Sequence, residues 1–400
     1  MRETDTVQYL SFSLLALVFF GASLIITSFP LLTLPLERTL KISHSLGGLL
    51  YTILLSANAL GKFVESFAAD HYDRELFVLY PGFLMVLGMV GFALSSSYWS
   101  ISLFIFLAGL GQGLFFPAGF AAVSDLFPNQ RGKYVGLYDA IFPLSALGAY
   151  GMVRLSNLLG GWRFTVGMIG AFLFVTSTVL YFLYQSPGRR GEYNTEESFS
   201  PSRKIARTLR EAKNCPVFLQ MVTLIIPVSI FALGIQNFIP AYVVESKGLT
   251  EGFGNIVYIV FMALAVVGKT LSGGVVDRKG FHWTFLFLVL FAFLGLILFS
   301  QVTGLWALAL GIFLIGPPRG GLYTVMHANL LDSASAESVD LLYGLFSVSM
   351  TAFGAIGPSL LGTLIDNIGF RLSFVVFLFV ILTTLPVIFY VGSSESLASE

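Results

Sequence analysis

Residues 268–280 read GKTLSGGVVDRKG, and residues 61–73 read GKFVESFAADHYD, a weaker copy displaced by 207 positions (268 against 61). In both copies a Gly-Lys pair lies inside an apolar run, and an Asp follows eight residues after the Lys, at the polar edge. The displacement is about half of the 400 residues. A duplicated membrane protein is therefore expected, with one lysine per half placed where lipid should forbid it.

Composition agrees. The chain is 56% hydrophobic and only 11% charged, with a mean hydropathy of +0.84, whereas soluble domains carry about a quarter charged residues. Apolar runs of about 20 residues, enough to span a bilayer, recur along the whole sequence and leave no soluble domain of useful size. The lone Cys215 excludes an internal disulfide framework, and four scattered histidines offer no zinc spacing. No metal and no cofactor are expected. The first apolar run, 9–33, is too long for a signal-peptide core and is expected to stay as a helix.

Twelve spans are expected near residues 9–33, 46–68, 76–97, 100–124, 134–158, 164–185, 216–242, 253–275, 282–302, 304–328, 341–364 and 371–392. The longest polar stretch, 186–215, separates an N-terminal six-helix bundle (1–185) from a C-terminal one (216–400). Within it Ser200-Pro201 reads as a helix start. Basic residues then surround Ile205 and Leu209, the pattern of a short amphipathic helix on the membrane surface. If the N-terminus is cytoplasmic, 13 of the 22 Lys and Arg fall inside, five outside and four within spans. That bias predicts that both termini are cytoplasmic, in a plasma (inner) membrane protein.

The repeat extends further. Gly47, Tyr51, Gly61, Lys62 and Asp70 recur 207 residues on as Gly254, Tyr258, Gly268, Lys269 and Asp277. Gly136-Leu137 recurs as Gly344-Leu345, and Gly161-Trp162-Arg163 as Gly369-Phe370-Arg371, both at a displacement of 208. Parallel halves of this kind are expected to bind solute between them near the midplane.

With these motifs the chain resembles the major facilitator superfamily of secondary transporters. The family signature G-x-x-x-D-R-x-G is nearly complete at Gly273-x-x-x-Asp277-Arg278-Lys279-Gly280 and degraded at Ser66-x-x-x-Asp70-His71-Tyr72-Asp73-Arg74. Other signposts are Ser124 to Pro128 with Arg131-Gly132, Gly161-Trp162-Arg163, and Gly357-Pro358. The sequence departs from the family at Ile105, where an arginine often stands, and at Gly148-Ala149-Tyr150-Gly151, which weakens an antiporter motif.

The resemblance implies an all-α fold of two pseudo-symmetric six-helix bundles. It also implies a gating role for Asp70, Arg74, Asp277 and Arg278, which hold the cytoplasmic side shut. In the monocarboxylate and oxalate transporter branch a substrate-carboxylate arginine stands at the position of Lys269. In the organophosphate antiporters a lysine stands at the offset of Lys62. Both imply an anionic substrate.

A cation at the bilayer centre costs about 2.5 to 3.5 kcal/mol on insertion scales, so it turns toward a cavity or a partner. Lys62 and Lys269 lie about 12 Å from the inner edge. Asp139 should reach the same depth if its helix is straight, making an Asp139–Lys269 latch across the halves, while Glu65 can pair with Lys62 one helical turn away. Latch or local pair, substrate contact and snorkelling all stay open for the lysines.

Arg319 falls about 20 Å before Asp332, close to the midplane, and shares a helix face with Tyr323 and His327. The counterparts on the fourth helix are Gln112, Phe116 and Phe120. The run Gly316-Pro317-Pro318 is expected to interrupt backbone pairing beside Arg319. Gln236 and Asn237, followed by Pro240, are further polar cavity candidates. Ser23 and Thr27 carry less weight, because hydroxyls in membrane helices bond their own backbone. Proton coupling needs a carboxyl or histidine that changes charge, which nominates Asp139, Glu65 and His327.

The expected activity is transport by alternating access of a small, anionic organic solute, by proton-coupled symport. Proton-driven efflux of hydrophobic or drug-like compounds is the alternative. A transporter-fold sensor would need an output domain that the sequence does not display. No catalytic constellation points to an enzyme, and neither a nucleic-acid partner nor an obligate protein partner is expected.

Overall fold

The computed structural model describes residues 3–68, 72, 74–184, 210–333 and 339–389. Asp70 and most of the expected amphipathic helix lie outside the described residues. The described residues contain helices and no strand. Seven helices come first: α1 (Glu3–Leu40), α2 (His44–Ala68), α3 (Arg74–Leu94), α4 (Tyr98–Leu126), α5 (Arg131–Asp139), α6 (Ile141–Leu159) and α7 (Trp162–Tyr184). Six follow: α8 (Pro216–Glu245), α9 (Glu251–Lys279), α10 (Phe281–Gln301), α11 (Leu305–Ser333), α12 (Val339–Gly354) and α13 (Ile356–Leu382).

Ten helical segments among the described residues are long and apolar enough to cross a membrane. One of them, Leu342–Phe389, contains two spans parted at Gly369, whose φ of 74° leaves the helical region. The expected fifth span is broken into α5 and α6 and is not among the ten. Counted this way, the described residues supply the twelve expected spans.

Local chemistry sets the ends and breaks. Ser97 caps α4 by accepting the Ser100 N–H at 3.2 Å, and Thr250 caps α9 by accepting the Phe253 N–H at 3.3 Å. The fifth span is not the straight rod assumed for depth. It breaks at Ala140, four residues after Gly136 and three before Pro143, because Pro143 has no N–H to give the Asp139 carbonyl. The eleventh span breaks at Ala355 for the same reason, with Pro358 four residues beyond Gly354. By contrast α11 continues through Pro317 and Pro318, so those two prolines do not interrupt the helix.

The chain forms two compact units, Met1–Leu40 with Ile53–Ala206, and Lys41–Thr52 with Arg207–Glu400. Residues at the start of α2 thus pack in the second unit. There the Asp366 carboxylate accepts the His44 and Ser45 N–H groups at 3.0 and 2.8 Å, and the His44 ring meets Glu245 at 3.0 Å. Asp366 therefore acts as a helix cap, though for a helix other than its own.

The repeat has a packing cause. A Cβ on Gly61 would lie 2.5 Å from the Leu110 carbonyl oxygen and 2.8 Å from the Leu114 nitrogen, so α2 and α4 approach to backbone contact. A Cβ on Gly268 would overlap the Pro317 carbonyl in the same way, between α9 and α11. The recurring Gly161 and Gly369 share positive φ values of 75° and 74°, each opening the final helix of its half.

Gly268→Ala should therefore lower the melting temperature of the purified protein by several degrees, reflecting about 1–3 kcal/mol of overpacking. Gly273→Ala, where nothing lies within 4 Å of the added methyl, should leave it level or raise it. Equal melting temperatures for the two variants would contradict this packing.

Candidate functional site

In the second unit three helices bring polar groups into an apolar interior. Position 236 of α8 is fully buried, and Pro240 withholds the N–H that the Gln236 carbonyl would otherwise accept. The Gln236 side chain extends a chain of hydrogen bonds. Arg319 Nε on α11 donates to Gln236 Oε1 at 2.9 Å, and Gln236 Nε2 donates to the Tyr51 hydroxyl at 3.5 Å. The Arg319 guanidinium also lies 5.0 Å from the centre of the Tyr323 ring, a cation–π contact that strengthens when desolvated. Tyr51 and Tyr258, both fully buried, are close electrostatic neighbours of Arg319.

Arg319 itself is half-buried. It borders a narrow cleft with only about 10 Å³ of room, whose other walls are apolar: Phe231 and Ile235 of α8, Phe261 of α9, and Pro318 and Leu322 of α11. A guanidinium with one edge bonded and the rest facing a mostly apolar cleft can take a carboxylate or phosphate in the bidentate geometry of such pairs. Asn237 is fully buried beside Gln236, and Tyr323 is 9% exposed. His327, two turns beyond Arg319, packs against Tyr343 at 4.8 Å and Phe346 at 5.2 Å.

In the first unit the faces of α2 and α4 zip together. Asn58 Nδ2 donates to Gln112 Oε1 at 2.7 Å, both residues being 1% exposed. One turn on, the Lys62 ammonium lies 4.5 Å from the centre of the Phe116 ring. Lys62 and Glu65 are buried at 7% and 5% exposure. Asp139, the last residue of α5, is half-buried. Thr27 bonds its own backbone through the Ser23 carbonyl at 2.9 Å and meets Ser145 at 2.9 Å.

The two motif lysines differ. Lys62 is buried whereas Lys269 is exposed, its stem lying against Gly320 next to Arg319. Asp277 and Arg278 are exposed in the last turn of α9, and Arg74 begins α3. The structure thus gathers Arg319, Gln236 and Tyr323 in one cluster and Lys62 with Phe116 in another. Tyr51, Tyr258 and Asn58 were not singled out from sequence. The first two carried a signal, because they form a matched pair in the repeat.

The family model described as Major Facilitator Superfamily matches residues 12–316 and 238–399. A "Hexuronate transporter" of Bacillus subtilis is 23% identical over 84% of this chain and 82% of its own length. A "Cis,cis-muconate transport protein" of Acinetobacter baylyi is 23% identical over 91% and 89%. A "Multidrug resistance protein MdtG" of Escherichia fergusonii is 26% identical over 87% and 85%. Among solved structures, a bacterial homologue of the human lysosomal transporter Spinster, in an inward-facing and unoccupied conformation, superimposes with a TM-score of 0.80 over 96% of both chains at 14% identity. The chain is a multi-pass integral membrane protein that belongs to the Major Facilitator Superfamily of transporters.

Proposed function

We propose that this transporter moves a small organic anion by alternating access, as a proton-coupled symporter of the plasma membrane with both termini cytoplasmic. The observation that carries the reading is Arg319, a cation inside the spans whose Nε is held by Gln236 at 2.9 Å beside an apolar cleft. An uncompensated cation there is costly, so a solute anion supplies the counter-charge. Two relatives bear the names of carboxylate transporters, hexuronate and muconate, which supports the same class. Arg319, Tyr323, Gln236 and Asn237 are the binding residues, with Lys62, Gln112 and Lys269 as further contacts. Asp139, Glu65 and His327 are the proton-carrying candidates, and Asp70, Arg74, Asp277 and Arg278 the gate, with Asp139 shared between roles.

Efflux of hydrophobic compounds is the second reading. It is favoured by the MdtG relative and by the aromatic wall of α4 around Phe116 and Phe120.

Proteoliposomes supplied with labelled galacturonate, cis,cis-muconate or a phosphoglycerate should accumulate at least one of them when the outside is acidified. Arg319→Gln should cut uptake about 10- to 100-fold, the loss of a hydrogen bond to a charged group worth about 1.5–3 kcal/mol. Uptake untouched by that change would overturn the anion assignment. If Asp139 carries the proton, Asp139→Asn should abolish accumulation driven by the pH gradient yet preserve downhill exchange of solute. Loss of both, or of neither, would remove it from the proton path. In unfolding measurements, Arg319→Gln and Gln236→Ala should be non-additive by about 1 kcal/mol or more if the pair is real.

A further inference from the structure

We infer that Lys247 and Arg371, in the second unit, form a surface site for the phosphate group of an anionic lipid. The site lies at the end of that unit opposite Asp277 and Arg278, because α9 starts just beyond Lys247, at Glu251, and runs for 29 residues before it reaches Lys279. The inference does not rest on the reading of Arg319.

The site is built on the C-terminus of α10, where the last carbonyls of a helix have no partner within it. Side chains meet them. The Tyr242 hydroxyl is shared between the Phe299 and Ser300 carbonyls, each at 3.0 Å. Arg371 Nη2 donates to the Gln301 carbonyl at 3.1 Å, and Lys247 Nζ donates to that of Val302 at 2.9 Å. Two cations are thereby anchored on consecutive carbonyls. Gln301 also clamps the guanidinium: its Oε1 accepts from Arg371 Nε at 2.8 Å, and its Nε2 donates to the Arg371 carbonyl at 2.9 Å.

Capping of a helix end does not account for all of this. In the first unit the matching Arg163 donates to the Ser95 carbonyl at the end of α3 at 2.9 Å, with its guanidinium 4.3 Å from the Trp162 ring centre. The second unit departs from that pattern three times at one place. Phe370 stands for Trp162 and packs 5.7 Å from Tyr242, Gln301 holds the guanidinium, and Lys247 stands 207 positions after Leu40. A helix C-terminus carries only about half a negative charge, so the second cation leaves this end positive.

Nearby acids do not relieve the excess. Glu245 pairs with His44 at 3.0 Å, and Asp366 accepts the His44 and Ser45 N–H groups. Among the described residues neither Lys247 nor Arg371 forms an ion pair. Burial, and then the neighbouring Arg371, hold the Lys247 ammonium below the usual lysine range. Arg371 Nη1 and two N–H groups of Lys247 are left for an anion, which a fixed guanidinium and an ammonium bind by charge-assisted hydrogen bonds.

The surroundings favour a lipid as its source. Leu372, Leu305 and Trp306, next in sequence to Arg371 or just past Val302, are exposed apolar side chains. Trp306 repeats Trp99 at the 207-residue displacement, and both are exposed. Exposed tryptophans at span ends mark headgroup depth, so a phosphate held here has apolar surface beside it for acyl chains.

The test is ligand-induced thermal stabilisation of the purified full-length protein in detergent. The probes are dioctanoyl phosphatidylglycerol, dioctanoyl phosphatidylcholine and inorganic phosphate. Phosphatidylglycerol should bind more tightly than the other two. Lys247→Gln should weaken it about fivefold, the worth of one basic residue near an anionic surface, and Lys247→Glu should erase its advantage over phosphatidylcholine. Arg163→Gln, which uncaps α3 in the other unit, should lower the unliganded melting temperature yet leave phosphatidylglycerol affinity unchanged. Equal affinity for the two lipids, or a preference that survives in Lys247→Glu, overturns the site. So does an equal loss of affinity in Arg163→Gln and Lys247→Gln, which would mean that lipid binding follows stability alone. If Lys247→Glu fails to fold, Lys247→Gln with unchanged affinity is the overturning result. Inorganic phosphate that binds as tightly as phosphatidylglycerol, and is lost in Lys247→Gln, would overturn the lipid source and assign the site to soluble phosphates.

Discussion

A guanidinium within a membrane-spanning bundle has to be held by something other than water, and the bond from Arg319 to Gln236 meets that demand in the second unit. Its neighbours follow from it. Gln236 is fully buried and turns its amide toward Tyr51. Tyr323 presents a ring face to the charge from one turn along the same helix. Each contact lowers the cost of keeping the cation without cancelling its charge.

Placing those groups requires helices that approach to backbone contact. The repeated glycines Gly61 and Gly268 provide that approach, between α2 and α4 in one half and between α9 and α11 in the other. Because the contact pins α9 at Pro317, the residues immediately after it, Pro318 and Arg319, are fixed in depth and direction. The duplicated Gly-Lys motif is thus first a packing device, and its lysines inherit positions set by the glycines. Their environments then diverge: Lys62 is enclosed over Phe116 while Lys269 is exposed.

The fold was largely legible because its signals are long and redundant. Apolar runs, caps such as Ser97 and Thr250, and the matched Gly161 and Gly369 turns each report on local physics that a sequence displays directly. At the site, Arg319, Gln236 and Tyr323 were legible because charge and amide are rare in apolar runs. Asn58 was not, since a single amide on α2 carries no sign that Gln112, 54 residues away, will meet it. Tyr51 and Tyr258 appeared only as repeat markers, because a tyrosine in a span is as readily an interfacial anchor as a buried partner. The break at Ala140 escaped the estimate of the depth of Asp139, although Pro143 was in plain view, because α11 shows that interior prolines need not break a helix.

The central claim is that Arg319 recognises negative charge, and pairs of equal shape test it most directly. The melting temperature of the purified protein would be followed against galacturonate and galacturonamide, and against benzoate and benzamide, in wild type and Arg319→Gln. The account predicts stabilisation by at least one of the acids, little or none by the matching amide, and loss of the difference in the variant. Equal stabilisation by an acid and its amide, or an acid effect that survives in Arg319→Gln, would contradict it.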